Sequence, residues 1–217
     1  MSNEEALDVL ARALARCGYD DGRMMMSLDV AASEFGKGGR YRLALEGRTF
    51  DRSEWLKQLQ TWRRRYPIVS LEDPFGEDDP EGFREVTALM GEDVQIIGDD
   101  FLVTSVTRVK EAQDSQACNA VLIKPNQVGT LTEAKAALEA AKAKDWGTVI
   151  SARSGETEDV TIAHLAVGWA AGQLKVGSFT RSERMAKCNE VIRIEEELGA
   201  RAEFVGPRAL PVHRSSV

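Results

Sequence analysis

Short apolar runs in this 217-residue chain break off repeatedly at a charged residue. The charges come in order as Asp29, Glu72-Asp73, Asp99-Asp100, Lys124, Arg153 just after Ser151-Ala152, and Lys175. The first three positions are carboxylates and the last three are cations, so the series is sorted by sign. Three monodentate carboxylates that leave positions open suit a hard octahedral cation such as magnesium. A lysine buried beside such a metal can lose its proton readily and act as a general base. A single acid after a strand is more often a helix cap or a solvated loop residue; the sorted series is what points to a site.

The elements that position these residues are read from periodicity. Candidate strands run over Met25 to Val30, Ile68 to Leu71, Val94 to Ile97, Ala120 to Ile123, Thr148 to Ser151 and Gln173 to Val176. Several are apolar on successive residues, as in Val121-Leu122-Ile123, which is the pattern of strands covered on both faces. An opening helix carries Leu7, Leu10, Leu14 and Cys17 at helical spacing and stops near Gly18. Asp79-Pro80 reads as an N-cap followed by proline at the first helical position. Thr130-Leu131-Thr132-Glu133 reads as a capping box before an alanine-rich helix to Lys144.

Strands alternating with helices imply an α/β fold with a parallel sheet and right-handed crossovers. An open doubly wound sheet fits that rhythm as well as a barrel does. In a barrel the C-terminal strand ends meet at one mouth, which would gather the charged residues. Tyr41 to Leu45 after Gly38-Gly39 alternates and reads as a small hairpin-like excursion.

Composition narrows the function. The formal net charge of -7 argues against a nucleic-acid partner. No apolar run approaches the roughly 20 residues that span a bilayer, and the acidic N-terminus lacks a signal-peptide pattern. Cys17, Cys118 and Cys188 are far apart and form no CxxC or Cys/His cluster, which disfavours structural zinc and fits reduced thiols in a cytoplasmic protein. Met24-Met25-Met26 reads as the start of a core strand, and Arg63-Arg64-Arg65 as a solvated helix end. His164 and His213 read as structural or solvated.

Longer stretches are recognisable. Ser27-Leu28-Asp29-Val30-Ala31-Ala32-Ser33-Glu34-Phe35 resembles a stretch of enolase, as do Leu71-Glu72-Asp73-Pro74-Phe75 and Gly98-Asp99-Asp100. So do Leu122-Ile123-Lys124-Pro125-Asn126-Gln127-Val128-Gly129-Thr130 and Arg153-Ser154-Gly155-Glu156-Thr157-Glu158-Asp159. Arg181-Ser182-Glu183-Arg184 and Arg193-Ile194-Glu195-Glu196-Glu197-Leu198-Gly199 complete a series in family order, over residues 5 to 199.

The resemblance implies the fold class: α/β, an incomplete enolase-type TIM barrel with six parallel βα units preceded by one helix. Residues 1–199 would form this partial barrel and 200–217 a loosely ordered tail. It also implies roles. Asp29, Glu72 and Asp99 match magnesium ligands, and Lys124 matches the base that takes the C2 proton of 2-phosphoglycerate. Lys175 matches the lysine that holds the substrate carboxylate, and Arg153 and Ser154 match phosphate-binding positions, with Ser154 expected at a helix start.

Two departures from the family pattern shape the expectation. The resemblance starts at the second of the family's paired barrel helices, so the general acid, the closing loops and a second metal site are expected from another chain. That chain would be an N-terminal enolase-like half or a second copy. Ala152 stands where enolases usually carry histidine, which points to a divergent phosphoryl-like group, such as a phosphonate, or to weakened catalysis. The implied function is a subunit of a split or divergent magnesium-dependent dehydratase acting on a small phosphorylated or phosphonate hydroxy acid. The alternative is a non-catalytic enolase-like binding or assembly subunit.

Overall fold

The computed structural model describes residues 2–212. His213 and Ser215-Ser216 lie outside the described residues. The chain forms two compact units. The first comprises residues up to Phe101 together with Ser115–Cys118; the second comprises Leu102–Asp114 and Asn119–Pro211.

The first unit opens with α1 (Asn3–Arg16), which starts because Ser2 accepts the Glu5 N–H while the Glu5 carboxylate returns to the Ser2 N–H. Leu7 and Leu14 are buried on its inner face, whereas Leu10 and Cys17, expected beside them, are exposed. β1 (Met26–Asp29), β5 (Ile68–Glu72) and β6 (Gln95–Gly98) pair in parallel. Met26 is buried and Met24 exposed, so the methionine run does start a core strand.

Between β1 and β5 the chain makes an antiparallel sheet from β2 (Gly36–Lys37), β3 (Arg40–Leu43) and β4 (Arg48–Asp51). The expected hairpin is present and is extended by β4. The strand alternation buries Tyr41, Leu43 and Phe50 against α2 (Arg52–Arg65), whose Trp55 stacks on Tyr41 at 5.8 Å between ring centroids. Arg63, Arg64 and Arg65 do form the last turn of that helix, where cations meet its negative end. α3 (Pro80–Met90) begins as read, with Asp79 accepting the Gly82 N–H. Phe75 packs so closely on Gly82 that a Cβ there would meet its ring at 2.3 Å.

The second unit carries β7 (Ala120–Ile123), β8 (Gly147–Ser151) and β9 (Gly172–Lys175), again paired in parallel. α4 (Val106–Asp114), α5 (Pro125–Val128), α6 (Leu131–Lys142), α7 (Thr161–Gly168) and α8 (Ser182–Leu198) connect and cover them. α6 buries Ala134, Ala137, Leu138 and Ala141, small residues that bring its axis close to the strands. Its cap is half of the expected box: Thr130 accepts the Glu133 N–H, but the Glu133 carboxylate accepts from the Thr130 hydroxyl instead of the Thr130 N–H. The helix also stops at Lys142, two residues short of Lys144. In the tail, Gly206–Ala209 forms a short 3-10 turn, and its Ala209 carbonyl accepts from the Gln173 side chain of β9.

Candidate active site residues

In the first unit, register decides which carboxylates share a row. Asp29, the last residue of β1, pairs with Glu72, the last residue of β5, and Glu72 pairs with Ile97 of β6. Paired residues of parallel strands point to the same face, and so do residues two apart on one strand. Asp29 and Glu72 therefore stand in one row, and Asp99 extends the row one pleat beyond Ile97. Glu72 and Asp99 are buried, and Asp29 is exposed.

Asp73 fixes this end of the sheet. Its backbone is left-handed, with φ of 40°, and its N–H donates to the Ile97 carbonyl at 3.0 Å. Its two carboxylate oxygens accept the N–H groups of Asp99 and Asp100, both at 2.8 Å. Burial pushes its carboxyl up to about 7; the two N–H donors pull it down, and the charges of Asp99 and Asp100 push it up again. Oxygens of Asp73, Asp99 and Asp100 converge to within 4.8 Å of one another. Like charges this close, partly out of water, favour a cation among them.

The donor chemistry fits magnesium. All available ligands are carboxylate oxygens of short side chains, with no thiolate or imidazole in the group. Asp99 is common to the convergent group and to the set Asp29, Glu72 and Asp99. Asp73 already uses an oxygen on each of two backbone donors, so it sets the backbone that carries Asp99.

The loop after β5 is pinned from below. Trp55 Nε1 donates to the Pro74 carbonyl at 2.8 Å, and the Tyr41 hydroxyl donates to Asp79 Oδ2 at 2.8 Å. Arg52 pairs with the same buried Asp79 at 2.7 Å. Sequence reading missed this network because its members lie up to 38 residues apart.

In the second unit the cations also share a row. Ile123, Ile150 and Leu174 are in register, and Ser151 pairs with Lys175. Lys124 follows Ile123 directly, so Lys124, Ser151 and Lys175 occupy successive strands at one level. The two lysines are then two strand spacings apart, roughly 10 Å between backbones. Both are half-buried.

Thr104, also missed in the sequence, holds Lys124. Its fully buried hydroxyl oxygen accepts the Lys124 N–H at 3.0 Å and its proton goes to Gln127 Oε1 at 2.9 Å. Val103 and Thr104 both have left-handed backbones, with φ of 45° and 55°. Such conformations are costly for β-branched residues and persist where the surroundings enforce them.

Arg153 and Ser154 follow β8, but Ser154 does not begin a helix: residues 152–160 are loop, and α7 starts at Thr161. The reason is side-chain capture of the backbone. Glu156 accepts the Arg153 N–H at 2.7 Å, and Arg184 donates to the carbonyls of Arg153 and Ser154. The Arg153 guanidinium reaches Asn126 Oδ1 at 3.2 Å. Ala152 is 8% exposed and contributes a methyl group here. His164 pairs with Glu190 at 2.9 Å and its side chain is 55% exposed, which lies within the structural or solvated reading made for it.

The chain is thus α/β, with carboxylates at the ends of β1 and β5 and just after β6 in one unit, and cations just after β7 and β8 and at the end of β9 in the other. The chain matches the enolase C-terminal TIM barrel domain over residues 1–212, and it belongs to that family. The expected fold class is thereby borne out: six parallel-paired strands, preceded by one helix, form part of an enolase-type barrel. No described helix is long and apolar enough to cross a membrane.

Proposed function

We propose that this chain acts in a magnesium-dependent dehydration of 2-phosphoglycerate or a phosphonate-type analogue. The observation that carries the reading is the arrangement by strand end: carboxylates in register on β1 and β5 with Asp99 after β6, and Lys124 and Lys175 level on either side of β8. Asp29, Glu72 and Asp99 would hold the magnesium, which supplies positive charge to the substrate carboxylate.

The chain's own residues account for half of the reaction. The C2 proton is very weakly acidic, and its removal leaves charge on the carboxylate oxygens. The Lys124 amine, unprotonated, takes that proton, and the Lys175 ammonium holds the carboxylate as charge builds. Arg153 offers a planar fork and Ser154 a hydroxyl to the phosphoryl end. Collapse of the C2 electron pair into a C2–C3 double bond expels the C3 hydroxide, which leaves as water once it receives a proton. The reading assigns that proton to a completing segment, either an N-terminal enolase-like half or a second copy. Such a segment would pair with β1 or β9, the strands at the edges of their sheets. The setting is cytoplasmic, in keeping with three free cysteines.

The chain purified from its own cells, with whatever co-purifies, is expected to form the enol product from 2-phosphoglycerate when magnesium is present and to stop when it is chelated. One observation favours a second reading, a non-catalytic enolase-like binding or assembly subunit: buried Ala152 in place of the usual histidine. Magnesium-dependent ligand binding without turnover in the same assay would select it.

A further inference from the structure

Two cations of α8, Arg184 and Lys187, take no part in the chemistry above, yet both are committed to the loop that carries Arg153 and Ser154. They lie three residues apart, on one face of the helix. Arg184 Nη1 donates to the Arg153 carbonyl at 2.8 Å and the Val176 carbonyl at 3.0 Å, and Nη2 donates to the Ser154 carbonyl at 2.9 Å. The Lys187 side chain is 0% exposed. Its ammonium donates to the carbonyls of Thr157 at 2.5 Å and Glu183 at 2.8 Å, and lies 2.7 Å from Glu156 Oε2. Glu156 in turn accepts the Arg153 N–H. Residues 153, 154, 156 and 157 are thus all held from α8, directly or through Glu156.

The consequence follows from peptide geometry. In a planar trans peptide the N–H points opposite to the preceding C=O. The Arg153 and Ser154 carbonyls turn toward Arg184, so the N–H groups of Ser154 and Gly155 turn away from α8. Ser154 and Gly155 are both exposed. Two successive N–H groups aimed the same way make a concavity suited to an anion.

We infer that Arg184 and Lys187 are positioning residues that aim the Ser154 and Gly155 N–H groups at the anionic end of the substrate. This rests on the reading of Arg153 and Ser154 as the phosphoryl site. The pair works before any ligand arrives, because the donors it uses go to protein carbonyls. A lysine buried this fully is retained at a desolvation cost, which its carboxylate and carbonyl partners offset.

The test is calorimetric titration of inorganic phosphate into the full chain with its co-purifying material and magnesium, paired with hydrogen exchange of the loop amides. Arg184→Ala is expected to weaken phosphate by about tenfold or more, the scale of one lost charge-assisted hydrogen bond, with magnesium affinity unchanged. Arg184→Lys, which keeps a cation with three donors, is expected to recover part of that loss. Should Arg184→Ala fold poorly, Lys187→Met combined with Glu156→Gln removes the buried ion pair without leaving a lone charge, and the same weakening is expected. Faster exchange at residues 153–157 with phosphate affinity unchanged would overturn the inference and leave α8 a structural brace. A wild-type chain that binds no phosphate would overturn the phosphoryl-site reading itself, and the inference with it, before any substitution is made.

Discussion

The backbone N–H of Ala152 donates to the carbonyl of Lys175 at 2.9 Å, continuing the β8–β9 ladder one residue past the end of β8. This bond ties the residue before Arg153 to the lysine assigned to the substrate carboxylate. The spacing between Arg153 and Lys175, the two ends proposed for the substrate, is therefore set by the sheet.

Ala152→His restores a donor at that position. Binding of 2-phosphoglycerate is expected to tighten about tenfold, the gain from one charge-assisted hydrogen bond, with magnesium affinity unchanged. Calorimetric titration of both ligands into the variant and the parent checks this. Equal affinity in the two proteins would mean that the imidazole finds no anion there.

Thr104→Val removes a hydroxyl from a fully buried site while keeping its volume. The Lys124 N–H and Gln127 Oε1 then lose their bonds to Thr104. The expected loss is about 1–3 kcal/mol, read as a lower urea midpoint. Thr104→Ser keeps the hydroxyl and is expected to lose less. Equal midpoints for the valine variant and the parent would show that the bond to Lys124 contributes nothing.

Glu156 sets an acid limit. Partial burial raises its carboxyl, but the Lys187 ammonium, the Arg153 N–H and the Arg184 charge outweigh it and hold the group below the ordinary glutamate range. With the folded value depressed, the contribution is fully present above the unfolded value, about pH 4.3. It is lost as pH falls from there through the folded value. Thermal midpoints measured from neutral pH downward should fall in that window, and Glu156→Gln should flatten the fall. Parallel curves for the two proteins would remove Glu156 as a source of acid lability.

The strands and their charged ends were legible because an apolar run that stops at a charge is a local pattern. All six strands lie within two residues of their expected bounds, and α3 starts where its cap was read. What escaped reading was set by distant partners. Ser154 looks like a helix start locally, but Arg184, thirty residues away, takes its carbonyl. Thr104 carries no signal of its left-handed backbone, since neither it nor Val103 is a glycine. The Tyr41–Asp79 bond joins a hairpin strand to a helix cap that each look complete alone. Asp73 was visible only as the neighbour of Glu72; its hold on the Asp99 and Asp100 N–H groups needs the register of β5 and β6.

The most direct test of the account is exchange of the C2 proton of 2-phosphoglycerate in heavy water, followed by NMR with the co-purified chain and magnesium. The wild-type chain is expected to exchange that proton, and Lys124→Ala to abolish exchange while still binding magnesium. Undiminished exchange in Lys124→Ala, or none in the wild type with magnesium and substrate both bound, would contradict the role given to Lys124 and the dehydratase reading built on it.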